Sequence, residues 1–252
     1  RQRVVLIAAG AAAGIAATFN APIGGLAFAI ELMLVSISAS TVTLVVFSTI
    51  IATYIGRVFL GLYPAFNVPA LSMPDWHLAH TWLLLLFIPF GILCGLASTL
   101  LIRSIYWFED FFDALPINAY MRHISGMLIL GIMFFLFMHF TSHIYVGGVG
   151  YATIVAILSH TLTSPWFLLL LFFCKLLATN LTLGSGASGG IFSPSLFLGA
   201  TLGSFFSESL HYFFPHMYLN SAQFAIAGMA AMVGGATGAV LTAIVMVFEL
   251  TR

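Results

Sequence analysis

Residues 184–200 read GSGASGGIFSPSLFLGA, and this stretch decides the fold. It lies within 176–207, a long run that contains no Lys, Arg, Asp or Glu. Four glycines fall in its first seven positions, and Pro194 follows. A helix interior excludes both residue types, because glycine costs backbone entropy and proline removes a hydrogen bond. The stretch therefore predicts a break between two helices inside an apolar segment.

The composition is that of a membrane protein. Hydrophobic residues make up 62% of the chain and charged residues 6%, against about a quarter charged in a soluble domain. Long charge-free runs cover most of the sequence: 4–30, 32–56, 76–102, 124–174, 176–207 and 209–248. About 20 such residues span a bilayer. We therefore expect an all-α, polytopic membrane protein with roughly eight to eleven membrane helices, some of them short or tilted.

The charges and the cysteines exclude several other classes. Seven basic and seven acidic residues cancel, which excludes the basic surface of a nucleic-acid-binding protein. Cys94 and Cys174 lack the spacing of metal ligands, and we interpret both as small buried hydrophobic residues. The few basic residues are too scattered to define an orientation in the membrane.

The two ends of the chain carry a repeat. Residues 10–32, GAAAGIAATFNAPIGGLAFAIEL, align without gaps with residues 228–250, GMAAMVGGATGAVLTAIVMVFEL. Each copy places one carboxylate, Glu31 or Glu249, at the same distance after its opening glycine. So wide a separation between the copies suits two similar halves, an arrangement found in many secondary transporters.

The repeat indicates a single transmembrane domain, 1–252, that contains parts of two halves. We expect the C-terminal part of the first half to end at about residue 125 and the second half to occupy about 126–252. The first-half counterpart of the glycine-rich stretch is expected some 30 residues before Arg1. Two further segments, 61–80 and 103–123, are predicted to be loops and helix ends at the lipid headgroups.

A helix that starts at membrane depth offers an anion site. Its first N–H groups have no partner within the helix and carry partial positive charge. In GGIFSP the glycines permit the break and Pro194 suits the first helical turn. The N–H groups of Ile191, Phe192 and Ser193 are expected to point into the gap. Close helix packing by the glycines is the alternative interpretation.

The same stretch resembles the chloride-selectivity signature of the CLC family of chloride channels and proton/chloride antiporters. GAAAGIAATFNAPIGGLAFAIE and AIAGMAAMVGGATGAVLTAIVMVFELT resemble two further helix pairs of that family, so the resemblance covers essentially the whole chain. It implies an α-helical membrane fold of two inverted repeats with broken and tilted helices. It also implies a homodimer with one anion pathway in each subunit.

The resemblance further implies a substrate, a location and a site. The substrate is chloride or a similar small anion, without another cofactor or a metal, in the inner (plasma) membrane of a bacterium. Helices 21–36 and 239–251 are expected to face the other subunit, where Glu31 and Glu249 would cap or tie helix ends. The family's gating-glutamate loop, serine-bearing anion loop and last-helix tyrosine have no match in this sequence. The matching anion-binding positions are Gly190, Ile191, Phe192, Ser193 and Pro194.

Position 32 bears on the mechanism. Proton-coupled members of the family carry a second acid directly after the glutamate that Glu31 matches, and here that residue is Leu32. Because a leucine side chain cannot carry a proton, the sequence favours a channel-like pathway. A proton-coupled antiporter with another internal proton route is the alternative.

Lys175 lies nine residues before Gly184, within this apolar region. Its ammonium could add positive potential to an anion route. The favoured interpretation is that the side chain reaches a helix end or the membrane interface by snorkelling.

Two short motifs suggest other functions. GASG resembles the Gly-x-Ser-Gly of intramembrane serine proteases, in which Ser188 would need a histidine base. His160 and His211 are the nearest in sequence, and neither lies among the small residues typical of such a partner helix. His139 and His143, four residues apart, are predicted to share a helix face, but no third metal ligand follows. We therefore expect neither an enzyme nor a metal site.

Overall fold

The computed structural model of the protein describes residues 2–61, 84–213 and 219–251. These residues form helices and connecting turns, and no strand occurs among them. A π-helical turn, Ala29–Met33, directly continues the second helix. The α-helices of the described ranges are α1 (Gln2–Phe19), α2 (Pro22–Phe28), α3 (Ala39–Leu60), α4 (Phe87–Asp113), α5 (Ala119–Thr141), α6 (Tyr151–Leu158), α7 (Pro165–Gly184), α8 (Phe192–Phe213), α9 (Ser221–Thr237) and α10 (Val240–Leu250).

The helices are those of a polytopic membrane protein, so the predicted fold class is confirmed. Five segments of the described chain are long and apolar enough to cross a bilayer; they correspond to α1, α3, α4, α5 and α7. Two shorter apolar segments, Pro22–Met33 and Val240–Leu250, agree with the expectation of short membrane helices.

The chain forms two compact units. One contains residues 1–69 and 237–252, and therefore α1, α2, the π-turn, α3 and α10. The other contains residues 70–236, and therefore α4 to α8 and nearly all of α9. The predicted boundary between the sequence halves, near residues 125 and 126, falls inside the second unit and stays a prediction.

Small residues allow close helix packing in the first unit. A side chain at Gly25 would collide with the backbone carbonyl of Ala12, and one at Gly56 would press against the backbone of Ala17. Backbones approach this closely in membrane proteins because association there depends on van der Waals packing and not on expulsion of water.

The second unit is built around an aromatic core and a close contact between α8 and α9. Phe87, Phe90, Phe206 and Phe224 form ring contacts with centroids 4.6 to 6.5 Å apart. The backbones of α8 and α9 meet at Gly199, where a Cβ atom would overlap the carbonyl of Gly228. The start of α8 is thereby anchored in a tightly packed body.

The predicted interfacial segment 103–123 contains the end of α4, a turn and the start of α5. The Asn118 side chain accepts a hydrogen bond from the Met121 amide at 2.9 Å and caps α5. Arg122 forms an ion pair with Asp113 across the turn. The other predicted interfacial segment, 61–80, lies outside the described residues except for Gly61.

The backbone repeats where the sequence repeats. α1 and α2 are separated by Asn20 in the left-handed region, with φ of 55°. Gly238, which aligns with Asn20 in the repeat, separates α9 and α10 with φ of 75°. Both pairs then restart at an alanine N-cap, Ala21 or Ala239. The aligned segments are therefore equivalent helix–break–helix units.

Candidate functional site

The glycine-rich stretch forms the predicted helix break. α7 ends at Gly184 and α8 begins at Phe192. Gly186 has φ of 81°, a conformation that L side chains rarely adopt. Amides of this segment close the end of α7: Gly186 donates to the Leu183 carbonyl at 3.0 Å, and Ala187 donates to the Thr182 carbonyl at 3.0 Å.

The start of α8 has the geometry expected of an anion-binding helix end. The Ile191 carbonyl accepts the first backbone hydrogen bond of the helix, from the Ser195 amide at 3.0 Å. The Ser195 hydroxyl donates to the same carbonyl at 2.7 Å. Pro194 lies in the first turn, as predicted. Amides before Ser195 lie outside the hydrogen-bond ladder of α8, at its positive end.

A cavity of about 450 Å³ opens beside this helix start. α5, α7, the turn before α6, the break and the first turn of α8 all contribute to its wall. Ile191 lies at the N-cap of α8 and its side chain is outside the wall. Four of the five predicted anion-binding residues line the cavity: Gly190, Phe192, Ser193 and Pro194.

Gly190 leaves the cavity mouth open. A Cβ atom added there would have no heavy atom within 4 Å, and the residue is exposed. The Ser193 side chain forms a hydrogen bond with Tyr151, the first residue of α6. The cavity is therefore open at Gly190, and the hydrogen bond to Tyr151 holds the Ser193 side chain in place.

Two threonines of α7 line the cavity but direct their protons elsewhere. The Thr179 hydroxyl donates to the Lys175 carbonyl at 2.9 Å, and the Thr182 hydroxyl donates to the Ala178 carbonyl at 2.7 Å. An anion needs donors, so these hydroxyls do not serve it while they keep these bonds. The other donor groups of the lining residues are backbone amides, the Ser188 and Ser193 hydroxyls and one ammonium group.

Lys175 supplies that ammonium, and the prediction of snorkelling was wrong. The residue is 3% exposed, and its Nζ donates to the carbonyls of Val146 at 3.0 Å and Gly148 at 2.6 Å. Nζ also lies 5.2 Å from the centre of the Phe197 ring. The side chain turns inward because two loop carbonyls and an aromatic face offer the charge a better environment than lipid does.

The wall of the cavity carries positive charge without an opposing acid. No Asp, Glu or His occurs among its described residues. An ion pair of the described chain joins Arg122 and Asp113, and no carboxylate of the described residues is paired with Lys175. The ammonium and the helix N-terminus together give this cavity a positive electrostatic potential.

The repeat acids cap each other's helices. Glu249 accepts hydrogen bonds from the amides of Ile23 at 3.2 Å and Gly24 at 2.6 Å, at the start of α2. Glu31 accepts from the amides of Leu241 at 3.1 Å and Thr242 at 2.8 Å, at the start of α10. The two contacts are equivalent in the repeat. The prediction that each acid ties a helix end agrees with these bonds, and its place beside another subunit stays a prediction.

The comparison with known families decides the classification. A sequence model of the family described as voltage gated chloride channel matches residues 1–252. The chain belongs to this CLC family. The recognition made from the glycine-rich stretch and the two repeat segments is therefore confirmed.

Two sequence relatives and one solved structure illustrate what the CLC chain is similar to. A ClcB-like protein of Ralstonia nicotianae, named as a chloride channel protein, is 32% identical over 98% of this chain and 55% of its own length. The H⁺/Cl⁻ exchange transporter ClcA of Vibrio campbellii is 33% identical over 98% of this chain and 52% of its own. A crystal structure of a slow cyanobacterial Cl⁻/H⁺ antiporter gives a TM-score of 0.81 at 30% identity, over 98% of this chain and 56% of that one.

The CLC chain spans about half the length of the curated relatives it matches. The helix break and its cavity nevertheless lie wholly within the described second unit.

The geometry gives no support to the enzyme or metal interpretations of the CLC chain. Ser188 lies exposed in the break, and no described histidine lines the cavity beside it. His139 lies on α5, whereas His143 follows the helix end, because Ser142 takes a left-handed conformation with φ of 58°. The predicted shared helix face was therefore wrong. No cluster of three metal-ligating side chains occurs in the described ranges.

The sequence interpretation missed most of the cavity wall. The missed residues on α7 follow a signal in hindsight: Ala178, Thr179 and Thr182 lie three, four and seven positions after Lys175 and so share one helix face with it. Val146 and Gly148 carried no such signal, because their contact with Lys175 joins residues 27 to 29 positions apart.

Proposed function

We propose that the full-length protein containing this chain moves chloride, or a similar small anion, across a lipid bilayer as a proton-coupled antiporter. One observation carries the proposal: a helix start at Phe192, after a glycine-rich break, lines a cavity with the buried ammonium of Lys175. That combination binds an anion without a metal and without covalent chemistry.

The site would favour a partly dehydrated anion over a cation. Amides at the start of α8 would replace water in the anion's hydration shell, and their partial charges hold it weakly enough for release. Lys175 would add a full charge from the cavity wall, reduced in effect by its two carbonyl partners. The same positively charged groups would repel a cation.

Two findings bear on proton coupling. Leu32, 43% exposed, stands at the position where the family resemblance implies an acid in proton-coupled members, and the sequence alone favoured a channel for that reason. Glu31 is already engaged, because its carboxylate accepts three hydrogen bonds from Leu241 and Thr242. The names of the relatives, one exchange transporter and one antiporter, support the coupled alternative better. A coupled mechanism then needs a proton route that passes neither residue.

The test is a coupled flux measurement on the full-length protein in liposomes. Chloride efflux and proton uptake are recorded together under an imposed chloride gradient, with gluconate as the external anion. Proton movement against its own gradient, in fixed ratio to chloride, supports the antiporter. Chloride flux without proton movement contradicts coupling and identifies a channel. Absence of any anion flux contradicts the whole proposal.

We further propose that the protein acts as a homodimer in a bacterial plasma membrane. The support is an apolar face on α2 and α10, where Ile23, Leu241, Ile244 and Phe248 are each at least 54% exposed. Substituting Ile244 by Trp should shift the detergent-solubilised protein from dimer to monomer on sedimentation. An unchanged dimer would place the interface elsewhere.

A further inference from the structure

Asn180 is a buried polar side chain that the anion cavity does not use. It lies on α7, is fully buried, and is not among the residues that line the cavity beside α8. Neither its amide nitrogen Nδ2 nor its amide oxygen Oδ1 has a hydrogen-bond partner among the described residues. Because burial of an unpaired amide costs free energy, such a side chain in a folded protein calls for an explanation.

Asn180 continues a row of α7 side chains that packs in the core of the second unit. The row repeats every four residues, which places its members on one helix face: Phe172, Leu176, Asn180 and Gly184. Its first two members belong to the apolar core cluster that α4, α7 and α8 share. Asn180 is therefore the polar continuation of an apolar row.

The contacts of the neighbouring residues in this row define what lies level with Asn180 on α4. The residue one turn before it belongs to the same core cluster as Leu101. One turn after it, a Cβ atom added at Gly184 would lie 2.8 Å from the Cβ atom of Phe108. α4 and α7 therefore run parallel here, and the polar residue of α4 at the intermediate level is the half-buried Ser104.

A second serine comes to the same level from α8. Ser195 lies three residues before Leu198, which belongs to the same core cluster, so both residues share a face of α8. Ser195 is fully buried in the first turn of the helix. The first turn of α8 and the last turns of α7 line one cavity, which places Ser195 close to the level of Asn180.

The hydrogen bonds already made by the two serines define what Asn180 lacks. Its Oδ1 needs a proton donor, but the Ser104 hydroxyl donates to the Leu101 carbonyl at 2.9 Å and the Ser195 hydroxyl donates to the Ile191 carbonyl at 2.7 Å. N–H groups in the interior of α4 and α7 serve their own helices. Both serine oxygens keep lone pairs that can accept a proton. The site therefore needs a small molecule that both donates and accepts hydrogen bonds.

We propose that Asn180, Ser104 and Ser195 form a binding site for internal water between α4, α7 and α8. A water molecule can bond to the Asn180 amide and donate to a serine oxygen at the same time, which bridges groups too far apart for a direct bond. An anion has no proton to give to Oδ1. A metal cation would lose its hydration shell without compensation, because none of the three side chains carries a negative charge.

The water site is separate from the proposed anion site. None of its three residues lines the anion cavity, although Ser195 belongs to the first turn of the helix that does. The inference therefore does not rest on the proposed function, and its failure would leave anion transport through that cavity untouched.

The first test detects water at the Asn180 amide. The full-length protein, labelled with ¹⁵N-asparagine and reconstituted in lipid bilayers, is studied by water-edited solid-state NMR, in which magnetisation passes from water to nearby side-chain amides. The signal that disappears in Asn180→Leu should receive magnetisation at a rate comparable to that of Asn118, an exposed helix cap assigned in the same way from Asn118→Ser. An Asn180 signal that receives none would show a dry amide and overturn the proposal.

The second test needs no variant that must fold. A crystallographic or cryo-EM map of the full-length wild-type protein that resolves ordered water should show a peak within about 3.2 Å of Oδ1 or Nδ2 of Asn180. The same peak should be absent from a map of Asn180→Leu if that variant folds. A side-chain amide that bonds directly to Ser104 or Ser195, or one packed only against apolar atoms, would overturn the proposal.

Discussion

At the scale of single residues, Gly190 and Lys175 divide the tasks of the site. Gly190 keeps the mouth of the cavity clear, and Lys175 supplies charge from within its wall. Neither residue is expected to be there for the sake of stability. The open glycine packs against nothing, and burial of an ammonium group costs free energy of folding. Substitutions at the two positions are therefore expected to have different consequences.

Gly190→Val should reduce anion flux in liposomes at least tenfold while leaving folding nearly unchanged. The new side chain enters open space at the cavity mouth, so the free energy of unfolding should change by less than about 0.5 kcal/mol. Gly95→Val on α4, where a Cβ atom is equally free of neighbours, serves as the control and should keep full flux. Equal flux in both variants would contradict a pathway past Gly190.

Lys175→Met and Lys175→Gln separate charge from hydrogen bonding. Both remove the ammonium, so both should weaken chloride binding, measured by calorimetry, by about tenfold or more. Glutamine keeps an N–H donor for the carbonyls of Val146 and Gly148, so it should be less destabilising than methionine, which leaves them unpaired at about 1–3 kcal/mol. If glutamine restored the affinity, the role of Lys175 would be to hold the loop.

At the scale of helices, α2 and α10 depend on each other's acids. Each begins at an alanine N-cap that offers no side-chain acceptor, and each receives a carboxylate from the other helix instead. The carboxylates also lie at the positive ends of the helix dipoles.

Glu31→Gln and Glu249→Gln should each destabilise the full-length protein by about 1 kcal/mol or more, since an amide loses the charge that strengthens these bonds. Chemical denaturation of the single and double variants provides the measurement. We expect the double variant to lose less than the sum of the single losses, because either substitution already loosens the contact between the helices. Strict additivity would show that the two caps act independently. Glu208→Gln, at a position outside the repeat, is the control.

The helix breaks could be predicted from the sequence, but the groups that contact Lys175, Glu31 and Glu249 could not. Glycine and proline act locally, so the interruption before Phe192 follows from a few neighbouring residues. The inward direction of the Lys175 side chain depends on carbonyls of a turn that is distant in sequence. From the sequence alone, a lone charge in an apolar run suggested a side chain that reaches the membrane interface. His143 was misplaced because Ser142, a residue type that seldom adopts the left-handed conformation, ends α5 in that conformation. The repeat identified Glu31 and Glu249 as a pair, yet only the structure shows that each serves the opposite helix.

At the scale of the whole molecule, a bound anion should stabilise the fold. A ligand that binds only the folded protein at about 100 times its Kd adds about 2.7 kcal/mol to the free energy of unfolding. Tm of the full-length protein should therefore rise when gluconate is replaced by chloride at constant ionic strength. The rise should be smaller in Lys175→Gln. An identical rise in both proteins would place the stabilising anion at another site.

The mutual capping of α2 and α10 also has a consequence for biosynthesis. The amide of Gly24 donates to the carboxylate of Glu249, which lies 225 residues further along the chain and is synthesised later. At ribosomal rates of about 5–20 residues per second, the first helices would enter the membrane roughly 10–45 s before Glu249 is made. Until then, the amides of Ile23 and Gly24 at the start of α2 lack the Glu249 carboxylate that accepts their hydrogen bonds in the folded protein. A nascent chain truncated before residue 249 should thus be a preferred substrate for membrane proteases and chaperones, and one extended past it should escape them.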